Sequence, residues 1–127
     1  MVKKIKIEAA GIVLQAELNT SKTAEAIWNI LPIETRGNHW GDEIYFSIPL
    51  NLGTEDGKEV VDIGDLAYWA PGNAFCLFFG RTPASQGDEV RPASAVTVIG
   101  KIIGDATALK KVTPGSTVSI TQDTSLV

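Results

Sequence analysis

The sequence predicts a mainly-β fold, with short strands closed into a barrel or packed as a sandwich. Three observations carry this. Apolar and polar residues alternate with period two in several short runs, as in 5–7, 14–18, 42–48 and 118–120. Gly and Pro punctuate those runs at short intervals. Only one stretch, roughly 22–31, shifts to helical spacing. Many short strands with Gly and Pro punctuation imply a closed barrel or a sandwich.

Ile5 and Ile7 alternate with lysines, and Leu14, Ala16 and Leu18 alternate with Gln15 and Glu17. The small residues Ala9, Ala10 and Gly11 between them suit a tight turn, so an N-terminal hairpin is expected. Asn19, Thr20 and Ser21 then offer side-chain oxygens for a helix start, and Glu25 suits the first turn. Ala24, Ile27 and Leu31 share one helical face, and Pro32 ends the helix. Residues 37–41 read as a loop. The run 42–48 alternates again and stops at Pro49. Val60, Val61 and Ile63 lead to Gly64 and Asp65. A strand follows at 66–69, broken by Pro71, Gly72 and Asn73.

The run 75–79 is apolar on both faces, the mark of a buried strand. Phe75, Leu77 and Phe79 share one face, and Cys76 and Phe78 share the other. Residues 80–92 carry Pro, Gly, Ser, Asp and Glu and read as a long exposed loop. Strands are expected at 96–103 and 118–120, with a short helical turn at about 105–112. The last residues are expected to fray.

The 127 residues suit one domain, with 44% hydrophobic and 20% charged residues, enough to bury a core. A net charge of −4 and scattered lysines argue against a nucleic-acid partner. No apolar stretch suggests a signal peptide or a membrane span, so a cytoplasmic location is expected. Cys76 is the single cysteine, which excludes an intrachain disulfide and suggests a buried, inert thiol. One histidine, His39, and no clustered carboxylates leave little basis for a metal site, and no cofactor is expected. The glycines follow no phosphate-loop pattern.

Several motifs bring a family into view. The string Trp40-Gly41-Asp42-Glu43-Ile44-Tyr45-Phe46, with Gly64-Asp65, Phe79-Gly80, Thr82-Pro83-Ala84-Ser85, Pro92-Ala93-Ser94 and Ile99-Gly100-Lys101, resembles the small stand-alone prokaryotic cyclophilin-like proteins. The resemblance covers nearly the whole chain. It implies a closed eight-stranded antiparallel β-barrel with capping helices. It brings no activity with it.

The resemblance to catalytic cyclophilins is weaker. Prolyl isomerisation must overcome a barrier of ~20 kcal/mol set by amide conjugation. Cyclophilins help with an arginine in a Phe-His-Arg-Val-Ile string before a proline. The comparable strand here, 41–49, has no arginine. The Gln-Gly-Gly string has no counterpart in 50–57, and Ala93-Ser94-Ala95-Val96-Thr97 stands where a Trp and a His would precede the Gly-Lys strand. Of Arg36, Arg81 and Arg91, only Arg81 is placed by the sequence to lean over the barrel face.

Glu43 and Tyr45 share the strand face opposite Ile44, Phe46 and Ile48. They look either to solvent or into a cleft, where a carboxylate beside a phenol suits an amine or amide. The second apolar face of 75–79 needs cover, either from the protein or from a bound apolar group. Glu43, Tyr45, Trp69, Phe75, Phe79 and Arg81 are therefore the cleft candidates. The expected function is a non-catalytic module binding a peptide or a small molecule. Two alternatives are a weak, atypical prolyl isomerase using Arg81 and another enzyme using Glu43 as acid or base. Oligomeric state is not legible.

Overall fold

The computed structural model describes residues 3–123. The chain-terminal residues expected to fray lie outside them. Nine strands form one antiparallel sheet: β1 (Lys3–Ala9), β2 (Ile12–Leu18), β3 (Ile33–Arg36), β4 (Asn38–His39), β5 (Glu43–Ser47), β6 (Asp65–Trp69), β7 (Ala74–Phe78), β8 (Thr97–Ile103) and β9 (Thr117–Gln122). Their order in space is β3-β9-β1-β2-β8-β6-β7-β5-β4. The two outermost strands are consecutive in the chain, with Gly37 alone between them. The sheet therefore curls until its edges meet, and 33–39 acts as one bent strand. Counted that way, the nine strands agree with the eight-stranded barrel expected from the sequence.

Gly37 makes this seam possible. Its N–H donates to Ser116 O at 3.0 Å and its carbonyl accepts from Gly115 N at 3.0 Å, so the ladder continues across the join. A Cβ here would lie 2.8 Å from Ile44 Cγ2 and 3.1 Å from Val118 Cγ2. Both neighbours are β-branched and cannot swing away. Gly37→Ala is expected to destabilise the protein by about 1–3 kcal/mol, the usual penalty of overpacking, measured by urea unfolding. An unchanged midpoint would mean that the seam is loose.

The expected helix is present as α1 (Lys22–Ile30). The Ser21 hydroxyl accepts from Ala24 N at 3.1 Å, as the capping residues suggested. A second cap comes from far along the chain: the Glu55 carboxylate accepts from the backbone N–H of Lys22 and Thr23. The helix buries Thr23, Ala24 and Ile27. The expected short turn is a 3-10 helix, Ala106–Lys111, capped by Asp105. The N-terminal hairpin turns on Ala10 and Gly11, both with positive φ.

Residues 33–39 pair as strands where the sequence suggested none: β3 pairs with β9, which is remote in sequence, and β4 is a two-residue strand that pairs with β5 across a tight turn. The stretch around Val60 to Ile63 is not a ladder strand; Lys58 and Val61 make single bridges to Val96 and Val90.

Two apolar clusters result. The barrel interior holds Ile5, Ile7, Ala16, Ile27, Ile44, Phe46, Leu66, Tyr68, Phe75, Leu77, Phe79, Ile99 and their neighbours. A smaller cluster lies on the outer face of β6 and β7: Ala67, Ala74, Cys76 and Phe78, closed over by Val61, Val90 and Val96. The second apolar face of β7 is thus covered by the protein's own loops. Residues 80–92 form part of this cover. Thr82, Val90 and Pro92 are buried, while the tip at 86–88 is exposed.

Hydrogen bonds organise the cover from within. The Thr82 hydroxyl donates to Arg91 O, and Ser85 Oγ accepts from Thr82 N at 3.0 Å. Glu89 accepts from Gln86 N, Gly87 N and Arg91 Nε, and the two backbone donors, with Arg91, hold its carboxyl down at about 2.

Candidate functional site

The cleft opens where the outer face of β5 meets the cover. Trp40, Glu43, Tyr45, Trp69, Pro92, Ala93 and Val96 line a cavity of about 210 Å³. Strand alternation sends Glu43 and Tyr45 outward while Ile44 and Phe46 enter the barrel.

The tip between β4 and β5 sets the position of Trp40 and Glu43. Trp40 N donates to Glu43 O at 2.9 Å, closing a tight turn through Gly41, whose φ is +61°. The tip then locks against the start of the cover: Asp42 N donates to Arg81 O at 2.8 Å, and Phe79 N donates to Asp42 O at 2.9 Å. This approach is too close for side chains. A Cβ on Gly41 would lie 2.8–2.9 Å from Arg81, Thr82 and Pro83, and one on Gly80 would lie 2.8 Å from Asp42 Cβ. The shared string from Trp40 to Phe46 and the Phe79-Gly80 pair thus have one physical purpose. They seat the tip of the hairpin on the cover.

Trp69 is fixed on two sides. Its Nε1 donates to Ser94 Oγ at 2.7 Å. Gly72 leaves room for its ring, since a Cβ there would lie 2.8 Å from Trp69 Cε3 and Cζ3. Tyr45 packs beside the outer cluster. Its hydroxyl and the Trp40 Nε1 have no hydrogen-bond partner among the described residues.

Glu43 is 6% exposed. Burial pushes its carboxyl up to about 7, only partly offset by a hydrogen bond from the Cys76 thiol. Cys76 is itself buried. Desolvation, and then the nearby Glu43 charge, raise its thiol well above the ordinary range, so it stays protonated and inert. Ion pairs among the described residues join Lys6 to Glu8, Arg91 to Glu89 and Lys110 to Asp42. None involves Glu43.

Of the six candidates from the sequence, Glu43, Tyr45 and Trp69 come together in this cavity. Phe75 and Phe79 do not. They are 0% and 1% exposed and face the barrel interior. The register explains it. Phe75 pairs directly with Phe46, an inward residue, and their rings stack with centroids 5.4 Å apart. Directly paired residues share a face, so the outward residues of β7 are Cys76 and Phe78. Arg81 also stays outside the cleft. It is exposed, and its Nη2 donates to Ser85 O at 3.4 Å.

Trp40, Pro92, Ala93 and Val96 complete the wall and are not among the candidates from the sequence. Trp40 and the Pro92-Ala93 pair lie in the shared strings, which was the available signal. Among the described residues no group of three or more His, Cys, Asp or Glu side chains could hold a metal. No helix there is long and apolar enough to cross a membrane.

A curled antiparallel sheet, a capping helix and a cleft on its outer face define a cyclophilin-like β-barrel. The chain belongs to the Cyclophilin-like family, whose model matches residues 3–121. It is similar to a solved solution structure, that of the hypothetical protein AF2241 from Archaeoglobus fulgidus. The two are 41% identical over 96% of this chain and 95% of that one, with a TM-score of 0.82. Among curated proteins none matches significantly.

Proposed function

We propose that the protein is a binding module whose cleft takes a small molecule or a single side chain of a peptide. One observation carries this reading: Glu43, a residue only 6% exposed, lines a preformed, aromatic-walled cavity without an ionic partner among the described residues. The Cys76 thiol is a weak donor and a carboxylate can accept several bonds, so a ligand would add the strong partner that the site lacks. At about 210 Å³ the cavity is smaller than the ~300–1,000 Å³ typical of drug-sized ligands, which favours a compact guest. The two restraints on Trp69 pre-organise the wall, and pre-organisation favours affinity. The one free thiol accords with a cytoplasmic setting.

A second reading has one observation in its favour. A carboxyl held at about 7 is well tuned for general acid–base work near neutrality. Cys76 is locked as a thiol and no basic side chain lines the cleft, so binding accounts for more of the site. The prolyl-isomerase alternative lacks its arginine, since none lines the cleft.

The test is an NMR titration with a panel of small amines, amides and short Xaa-Pro peptides. Saturable shifts at Trp40, Tyr45 and Trp69, with Trp28 on α1 unmoved, are expected, and the peptide's cis–trans exchange rate should not change. Gly72→Ala, which displaces the Trp69 ring, is expected to weaken binding roughly tenfold, or ~1.4 kcal/mol. A panel that leaves all three signals unmoved removes the reading. Faster exchange would revive the isomerase.

A further inference from the structure

We propose that the cleft is a site for a small organic ammonium ion, held by the Glu43 carboxylate and caged by the aromatic rings of Trp40, Tyr45 and Trp69. This rests on the binding-module reading and gives the ligand its chemical class.

Charge is the first argument. Glu43 is buried, and none of the ion pairs among the described residues reaches it. No Lys, Arg or His lines the cavity. A buried carboxyl with no opposite charge beside it is costly to ionise, and a bound cation would offset that cost. The open direction from Glu43 is the cavity itself. An anion would meet repulsion there.

The walls are the second argument. Three of the seven lining residues are aromatic and three more are apolar. Aromatic faces attract cations through their quadrupole, most strongly for Trp and most of all where water is excluded. A hydrated inorganic ion would lose its water to these walls without replacement. An alkylated ammonium carries little hydration and presents methyl groups to the rings. The cavity volume suits a compact head group of this kind.

Protonation is the third. The titratable groups facing Glu43 are Tyr45 on its own strand and Cys76 from β7; β6 and the cover present Trp69, Pro92, Ala93 and Val96. With its carboxyl at about 7, Glu43 is mostly ionised at pH 8 and mostly protonated at pH 6. A cation that binds only the ionised form therefore binds about tenfold more weakly at pH 6 than at pH 8.

The probes are tetramethylammonium chloride and tert-butanol, a neutral molecule of similar shape, titrated against the indole signals of Trp28, Trp40 and Trp69 at constant ionic strength. The expected result is saturable shifts of Trp40 and Trp69 with tetramethylammonium, about tenfold weaker at pH 6, and lost in Glu43→Gln. Equal binding of tert-butanol, or unchanged tetramethylammonium affinity in Glu43→Gln, overturns the ammonium assignment. It leaves the binding-module reading standing if the amine and amide panel still moves these signals. Silence from both probes and from the panel overturns both.

Discussion

Glu43→Gln is expected to make the protein more stable above neutral pH, by about 3 kcal/mol, with the gain disappearing near pH 4.5. The folded state holds the Glu43 carboxyl at about 7, against an ordinary value of 4.5. Between those values the native chain binds a proton that the unfolded chain has released. Wild-type stability therefore declines through that window as pH rises, and the full loss is present above pH 7. A shift of that size corresponds to about 3 kcal/mol, at ~1.4 kcal/mol per pH unit. Gln resembles the protonated acid and carries no such penalty. In a chain of this size the gain is worth roughly 10 °C in Tm.

The difference between variant and wild type isolates Glu43. Glu89, held at about 2, acts in the opposite sense: its contribution is present above pH 4.5 and is lost as pH falls toward 2. It is common to both proteins and cancels. Thermal unfolding of the two proteins from pH 4.5 to 8.5 is the measurement. Parallel curves would show that Glu43 is not held in its protonated form by the fold. A residue that weakens the protein at working pH is what a site built for binding rather than for stability would keep.

Gly100→Ala is expected to cost about 3 kcal/mol, lowering Tm by roughly 10 °C. Gly100 on β8 pairs with Leu18 on β2. A Cβ there would lie 2.3 Å from the Glu17 carbonyl oxygen and 3.1 Å from Leu18 Cα. These are backbone atoms, so no side chain can yield, and the strands must part. The same position borders a bulge, where β8 inserts Ile99 between the partners of Leu66 and Ala67. The bulge lets Ile99 enter the barrel while Val98 packs on the outer cluster. Gly53→Ala is the control, because a Cβ at Gly53 meets open space. It should change stability by no more than about 0.5 kcal/mol. Equal effects from the two substitutions would mean that β2 and β8 are not in close register.

The shared strings gain a physical meaning from these contacts. Gly100 is where β8 meets β2, and Gly41 and Gly80 are where the β4–β5 tip meets the cover. Each permits a backbone approach that any side chain would block. They read as motifs because few other residues fit. What the motifs position, Trp40 and Glu43, follows from the same approach.

Much of the architecture was local and therefore legible in the sequence. Period-two alternation marked β1, β2, β5 and β9, since each buries one face and wets the other. Ser21 and Pro32 bounded α1, because capping and proline sterics act within a turn. The outward pairing of Glu43 with Tyr45 followed from alternation alone. Three matters were decided only by tertiary structure. The first is the strand character of 33–36, which has no strong pattern of its own and pairs because the distant β9 arrives beside it. The second is which face of β7 looks inward. Both faces are apolar, so alternation is symmetric, and only the pairing of Phe46 with Phe75 breaks the tie and removes Phe75 and Phe79 from the cleft. The third is the environment of Glu43. Its strand fixes the direction in which the carboxyl points. Pro92, Ala93 and Val96 share its cavity only because the fold brings them there, on a cover that bridges at Lys58 and Val61. Direction is a property of the neighbouring residues in the chain, whereas desolvation is a property of whatever the fold brings near.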